Sequence, residues 1–252
     1  MEYSELIEAA EGEADALMLA IESGELDDVV PTCTEWEIAD LARHVGDFCG
    51  FWAHVLCEGT GRPKPELGEP PEDERLPEWT ARCAGHLFTE LRATPADCTV
   101  WTLFDADRHA SFVARRGAHE LAVHRTDAQW AHGAVDPIGA ELAADGIDEV
   151  LDVLVHVGGG GRGSGTGSSG TGRVMTLRSS DLGSQWFITL DGDHVAVERR
   201  SEDDTPLEGS NLVVTGTASD LELTLYHRPT LSPVDVHGDY TVLEEWHRRF
   251  TF

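Results

Sequence analysis

From Tyr3 to about residue 132 the apolar side chains of this chain recur at helical spacing, and only beyond a glycine-rich run at 158–172 do they alternate as in strands. That change of period restricts the fold more than any other feature. A stripe of period 3.6 buries one face of a helix and a pattern of period two buries one face of a strand, and neither can do the other's work. Residues 3–23 set Leu6, Ile7, Ala10, Ala14, Leu17, Met18 and Ile21 on one face. Pro31-Thr32-Cys33 breaks the chain, and Thr34 followed by Glu37 has capping-box spacing. This predicts a second helix over about 34–57, with Ile38, Leu41, Val45, Phe48, Trp52 and Val55 inward and Trp36 among its core aromatics. A proline-rich acidic connector, 61–78, leads to a third helix near 78–93 and a fourth near 108–132. Four amphipathic helices in succession predict a four-helix bundle over residues 1–136.

Asp136-Pro137 marks a change of character. One more helix, about 138–154, runs into Gly158–Gly172, which has no following Gly-Lys-Ser/Thr and so reads as a loop and not a phosphate cradle. Val174–Arg178, Trp186–Leu190, His194–Arg199 and Asn211–Thr215 then alternate like strands, and Asp191-Gly192-Asp193 is a hairpin signal. Helices return at Ala218–Tyr226 and Thr241–Phe250. The expected architecture is therefore α plus α+β: a helical bundle, 1–136, then a small α+β domain, 137–252.

Composition excludes several function classes. Lys and Arg number 18 against 47 Asp and Glu, a formal charge of −29, which repels nucleic acid and anionic membranes alike. No apolar run approaches a membrane span and the first residues are acidic, which points to the cytoplasm. Five cysteines (33, 49, 57, 83 and 98), odd in number and without C-x-x-C spacing, give no disulfide framework and read as buried thiols. Cys49 and Cys57 have no base beside them in sequence, so neither reads as a nucleophile.

The chemistry concentrates in Ala118-His119-Glu120-Leu121-Ala122-Val123-His124. Its histidines are five apart, about 140° around a helix, so it is not the metalloprotease H-E-x-x-H pair. Glu120 and His124, four apart, do share a face. His44 lies between the inward residues Leu41, Val45 and Phe48, making it the candidate third ligand. A buried carboxylate needs neutralising, and a divalent cation would do so. Two imidazoles and a carboxylate suit zinc first, and nickel or ferrous iron as well. Asp40 and Asp127, near the two histidines in sequence, are candidates to accept the free imidazole N–H. Arg116, one turn before Glu120, is placed to pair with it or with an anionic substrate. Trp101 and Phe104 are candidate pocket walls, whereas His119 points away from this face.

Val30-Pro31-Thr32-Cys33-Thr34-Glu35-Trp36 through Asp40-Leu41-Ala42-Arg43-His44-Val45-Gly46 resembles the first signature of the mycothiol-dependent maleylpyruvate isomerase family. Ala114-Arg115-Arg116-Gly117-Ala118-His119-Glu120 and Val123-His124-Arg125-Thr126-Asp127-Ala128 resemble the second, and Trp101-Thr102 also fits. Asp181-Leu182-Gly183 to Trp186, Gly216-Thr217-Ala218-Ser219-Asp220-Leu221 and Gly238-Asp239 resemble the family's second domain. The likeness implies a DinB-like metal-binding bundle with His44, Glu120 and His124 as the metal triad. It implies mycothiol as thiol cosubstrate, and an active-site arginine at Arg228. Thr126 stands where the family commonly has tryptophan, and His227 precedes the arginine, departures that bear on the substrate pocket.

These features together give an expected enzyme in which a metal-bound thiolate adds to a small-molecule electrophile, as an S-transferase or a cis–trans isomerase. Trp101 and Arg116 are the expected contacts to substrate or thiol. The partners expected are the electrophile and a low-molecular-weight thiol, with no nucleic acid or membrane, in a monomer or homodimer. Two rivals remain at this level: a non-catalytic, anti-sigma-like metal-binding module, and a tailoring enzyme using another small thiol.

Overall fold

In a computed structural model, residues 1–59, 61, 70–71, 75–157, 172–192, 194–201 and 209–250 are described. Most of the proline-rich connector, nearly all of the glycine-rich run and Asp193 of the hairpin signal lie outside them. The chain divides into two compact units, Met1–Asp136 and Pro137–Phe252.

The first unit is built from α1 (Tyr3–Glu22), α2 (Ile38–Glu58), α3 (Leu76–Ala93) and α4 (Ala110–His132). α1 packs chiefly on α4 and α2 chiefly on α3. The inward stripe of α1 is buried from Leu6 to Ile21, and that of α2 from Ile38 to Leu56. Ion pairs tie α1 to its neighbours, Glu13 to Arg125 of α4 at 2.7 Å and Glu11 to Arg92 of α3. Gly46 sets the close approach of α2 and α3: a methyl group there would lie 2.0 Å from the Trp79 ring. α4 stops at Gly133, whose left-handed φ of 79° costs glycine little and other residues more.

One boundary corrects the sequence reading. α2 begins at Ile38 with Glu37 as N-cap and Asp40 completing the capping box, four residues beyond the Thr34 cap expected. Backbone bonds from Trp36 N to Cys33 O, Val30 N to Trp36 O and Ile38 N to Asp28 O hold residues 28–37 in a folded turn. The helix therefore cannot start earlier, and Trp36 stands outside it.

The second unit carries α5 (Ala140–Glu149), a π-helical turn (Val150–Leu154), α6 (Val155–Val157), β1 (Arg173–Ser179), β2 (Ser184–Asp191), β3 (His194–Ser201), β4 (Leu212–Gly216), α7 (Ala218–Leu225), β5 (Asp235–Gly238) and α8 (Thr241–Arg249). Its mixed sheet has the order β3-β2-β1-β4-β5; only the β1–β4 pair is parallel. Met175, Leu177, Ile188, Leu190, Leu212 and Val214 are fully buried in the sheet, and Trp246 of α8 is buried with its Nε1–H donating to Leu225 O at 2.9 Å. β5, which sequence periodicity did not reveal, is a short edge strand in which none of the four residues is buried. Such a strand carries no apolar alternation to read. The π-helical turn, likewise unexpected, interrupts the helix predicted over 138–154.

The Gly216–Leu221 motif works as a helix start. Thr217 Oγ1 accepts from Asp220 N, and Asp181 Oδ1 accepts from Ala218 N. Asp220 Oδ1 in turn takes the Leu231 and Ser232 amides. Asp148 similarly joins α5 to the sheet, accepting from Trp186 Nε1 at 2.8 Å and pairing with Arg199.

No helix among the described residues is long and apolar enough to cross a membrane. None of the five cysteines is in a disulfide, but only Cys49 is buried, while Cys57 and Cys98 are exposed, which corrects the expectation of buried thiols.

Candidate metal centre

α4 is buried around most of its circumference, so its polar residues cannot simply face solvent. Arg116, His119, His124, Arg125, Thr126 and Asp127 are all below a tenth exposed. Isolated charges in such a place are costly, and they persist only where they neutralise one another or bind something that does.

Glu120 is the hub. Its Oε1 lies 2.9 Å from His44 Nε2 and 3.4 Å from His124 Nε2, and its Oε2 accepts from Arg116 Nη2 at 2.7 Å. The helix supplies three of these groups at i, i+4 steps, residues 116, 120 and 124, and α2 brings the fourth across the bundle. Burial alone would push the Glu120 carboxyl up; the Arg116 guanidinium and the two imidazoles outweigh it and hold it well below the usual carboxylate range. Burial would lower His124, yet hydrogen bonds to Asp127 and Glu120 raise it to about 9.

His124 is oriented from behind. Its Nδ1 lies 3.0 Å from Asp127 Oδ2, and Asp127 Oδ1 accepts from Thr32 Oγ1 at 2.6 Å. With Nδ1 engaged by a fully buried carboxylate, the Nε2 edge of the ring faces Glu120. Asp40, the other carboxylate considered for this task, instead caps α2 through Glu37 N and pairs with Arg43. Trp36 forms a partial roof, its ring centroid 5.1 Å from that of His44 and 6.3 Å from that of His124, nearly parallel to the latter. Sequence reasoning assigned Trp36 to the helix core; the turn at 28–37 places it over the imidazoles instead.

The ligand atoms of His44, Glu120 and His124 lie within 4.8 Å of one another. Their side-chain exposures of 39%, 18% and 10% grade the site from an open edge at His44 to a closed floor at His124. A borderline cation fits this donor set. Arg116 is engaged with Glu120. Trp101 belongs to an aromatic cluster, its ring 5.7 Å from Phe51 and 6.0 Å from Trp52, with its amide donating to Gly59 O. His119 is buried. In the second unit Arg228 follows α7, donating from Nη1 to Tyr226 O at 2.8 Å and lying 5.7 Å from the Tyr226 ring centroid. The preceding His227 has φ 58°, unusual for a residue other than glycine.

Residues 7–129 match the profile of the mycothiol maleylpyruvate isomerase N-terminal domain. No curated protein matches the chain by sequence. Among solved structures, the crystal structure of the mycothiol-dependent maleylpyruvate isomerase aligns with a TM-score of 0.57 at 14% identity, covering 94% of this chain and 93% of that one. A histidine-to-alanine mutant of the same enzyme aligns with a TM-score of 0.62 at the same identity and coverage. Residues 7–129 thus carry the likeness to the mycothiol maleylpyruvate isomerase N-terminal domain, and over nearly its whole length the chain has the fold of the mycothiol-dependent maleylpyruvate isomerase.

Proposed function

We propose that this protein is a metal-associated, mycothiol-dependent enzyme of the isomerase type, acting on a small electrophilic alkene. The observation that carries the reading is the convergence of His44 Nε2, Glu120 Oε1 and His124 Nε2 in a domain that matches this profile. His44, Glu120 and His124 would hold a divalent ion, zinc being the first candidate. A bound divalent ion supplies Lewis acidity that lowers the pKa of a thiol at neutral pH and favours its thiolate.

The chain's own residues prepare that site. Arg116 neutralises Glu120 and fixes the carboxylate so that Oε1 faces the two imidazoles. Asp127, itself fixed by Thr32, keeps the proton of His124 on Nδ1. Trp36 covers the two rings, while His44 leaves the approach open on its own side.

A thiol that adds to a cis alkene turns the double bond into a single bond. Rotation and expulsion of the thiol then return the trans alkene with the thiol regenerated. An isomerase therefore uses its thiol catalytically, whereas an S-transferase consumes it. The test is to incubate the zinc-loaded protein with mycothiol and maleylpyruvate while following both the alkene geometry and the free thiol. The expected result is cis-to-trans conversion at constant thiol, lost in His44→Ala and Glu120→Ala together with one equivalent of bound zinc. Thiol consumed in proportion to turnover would assign S-transfer. Bound metal undiminished from wild type in both variants would remove the triad.

A further inference from the structure

A second group of ligating side chains lies at the other end of α2. Cys57 Sγ, a His86 ring nitrogen and a Glu90 carboxylate oxygen all fall within 4.8 Å of one another. His86 and Glu90 stand four residues apart on α3, on one face, with Nε2 3.5 Å from Oε1. Cys57 comes from the last turn of the neighbouring α2. We propose that Cys57, His86 and Glu90 form a second cation site, at the surface, taking a thiophilic divalent ion of the zinc class.

Two observations carry this. The donor set combines one sulfur, one imidazole and one carboxylate, which zinc accepts together and which magnesium or calcium does not. Bond lengths near 2.0–2.3 Å place tetrahedral zinc ligands roughly 3.3–3.8 Å apart. The His–Glu separation already lies in that range, and exposed side chains can close the remaining gap by rotation. The local field also favours a cation. α2 ends on Glu58 with no basic residue in its last turn, so its C-terminal carbonyls and Glu58 add negative potential where a positive charge would be favourable. On binding, the thiol proton passes to solvent and sulfur donates an electron pair to the ion. The ion would staple the end of α2 to α3.

The site at His44, Glu120 and His124 contains no cysteine, so sulfur coordination separates the two. Cobalt(II) is the probe, titrated into the reduced full-length protein while the near-ultraviolet thiolate-to-cobalt charge-transfer band is followed. Wild type should develop this band to the intensity of one thiolate site per chain by two equivalents of cobalt, and His44→Ala should keep it. Cys57→Ser should abolish it, and His86→Ala and Glu90→Gln should each weaken cobalt binding at the sulfur site by at least about tenfold. Circular dichroism checks that the three surface substitutions leave the helices intact. No band in wild type, a band that survives Cys57→Ser, a band lost in His44→Ala, or indifference to both His86→Ala and Glu90→Gln would overturn the site.

Discussion

The interior of the bundle and the interior of the sheet unit bury charge on different terms. Around α4, Arg116, Glu120, His124, Asp127 and Thr32 form one connected polar chain, each member held by the next. In the second unit the sheet core is Met175, Leu177, Ile188, Leu190, Leu212 and Val214, while Thr217 and Asp220 serve backbone amides at turns and helix ends. Thr217 and Asp220 thus do work that helix termini anywhere require. The bonds that Glu120 and His124 make to Arg116, His44 and Asp127 run between side chains, the arrangement that makes this group the candidate site.

The contrast can be broken most sharply at Arg116. Arg116→Met takes the guanidinium from the Glu120 carboxylate and leaves it the two imidazoles, and removing one member of a buried pair costs about 3–5 kcal/mol. Denaturant unfolding of the metal-free protein measures this, and added zinc should recover part of the loss. Next comes Asp127→Asn, which keeps the shape but weakens the hold on the His124 N–H. Zinc affinity should fall by about 10–100-fold with little change in fold, as read by competition with a chelator. In the sheet unit, Thr217→Ala removes the cap and its bond to Asp220 Oδ2, and its cost should be about 1 kcal/mol with metal affinity untouched. The smallest effect expected is on pH dependence. Burial holds His247 below its ordinary value, and neighbouring His227, stacked at 4.1 Å, adds to this against the bond to Thr224 O. Protonation then favours the unfolded chain. The neutral ring's contribution is full above pH 6.5 and is lost as the pH falls below it, a slope that His247→Gln should flatten in unfolding measured across that range.

Much of this was legible in the sequence where a period or a helix step carries the information. The switch from 3.6 to two gave the α plus α+β architecture, and i, i+4 spacing put Glu120 and His124 on one face. His44 was legible because Leu41, Val45 and Phe48 fix the inward side of its helix. Trp36 was not, because backbone bonds to residues distant from a helix register hold the turn that places it. β5 was invisible for lack of alternation. Cys57 showed no partner because His86 and Glu90 arrive from a different helix, nearly thirty residues on, and no local pattern encodes that meeting.

The guanidinium on Glu120 Oε2 has a further consequence. With one oxygen taken, the carboxylate can offer a cation a single tooth, so an ion seated beside the imidazoles would stay undersaturated and electron-hungry. A seat of that kind would trade grip for reactivity, leaving the ion room for a ligand from outside the protein.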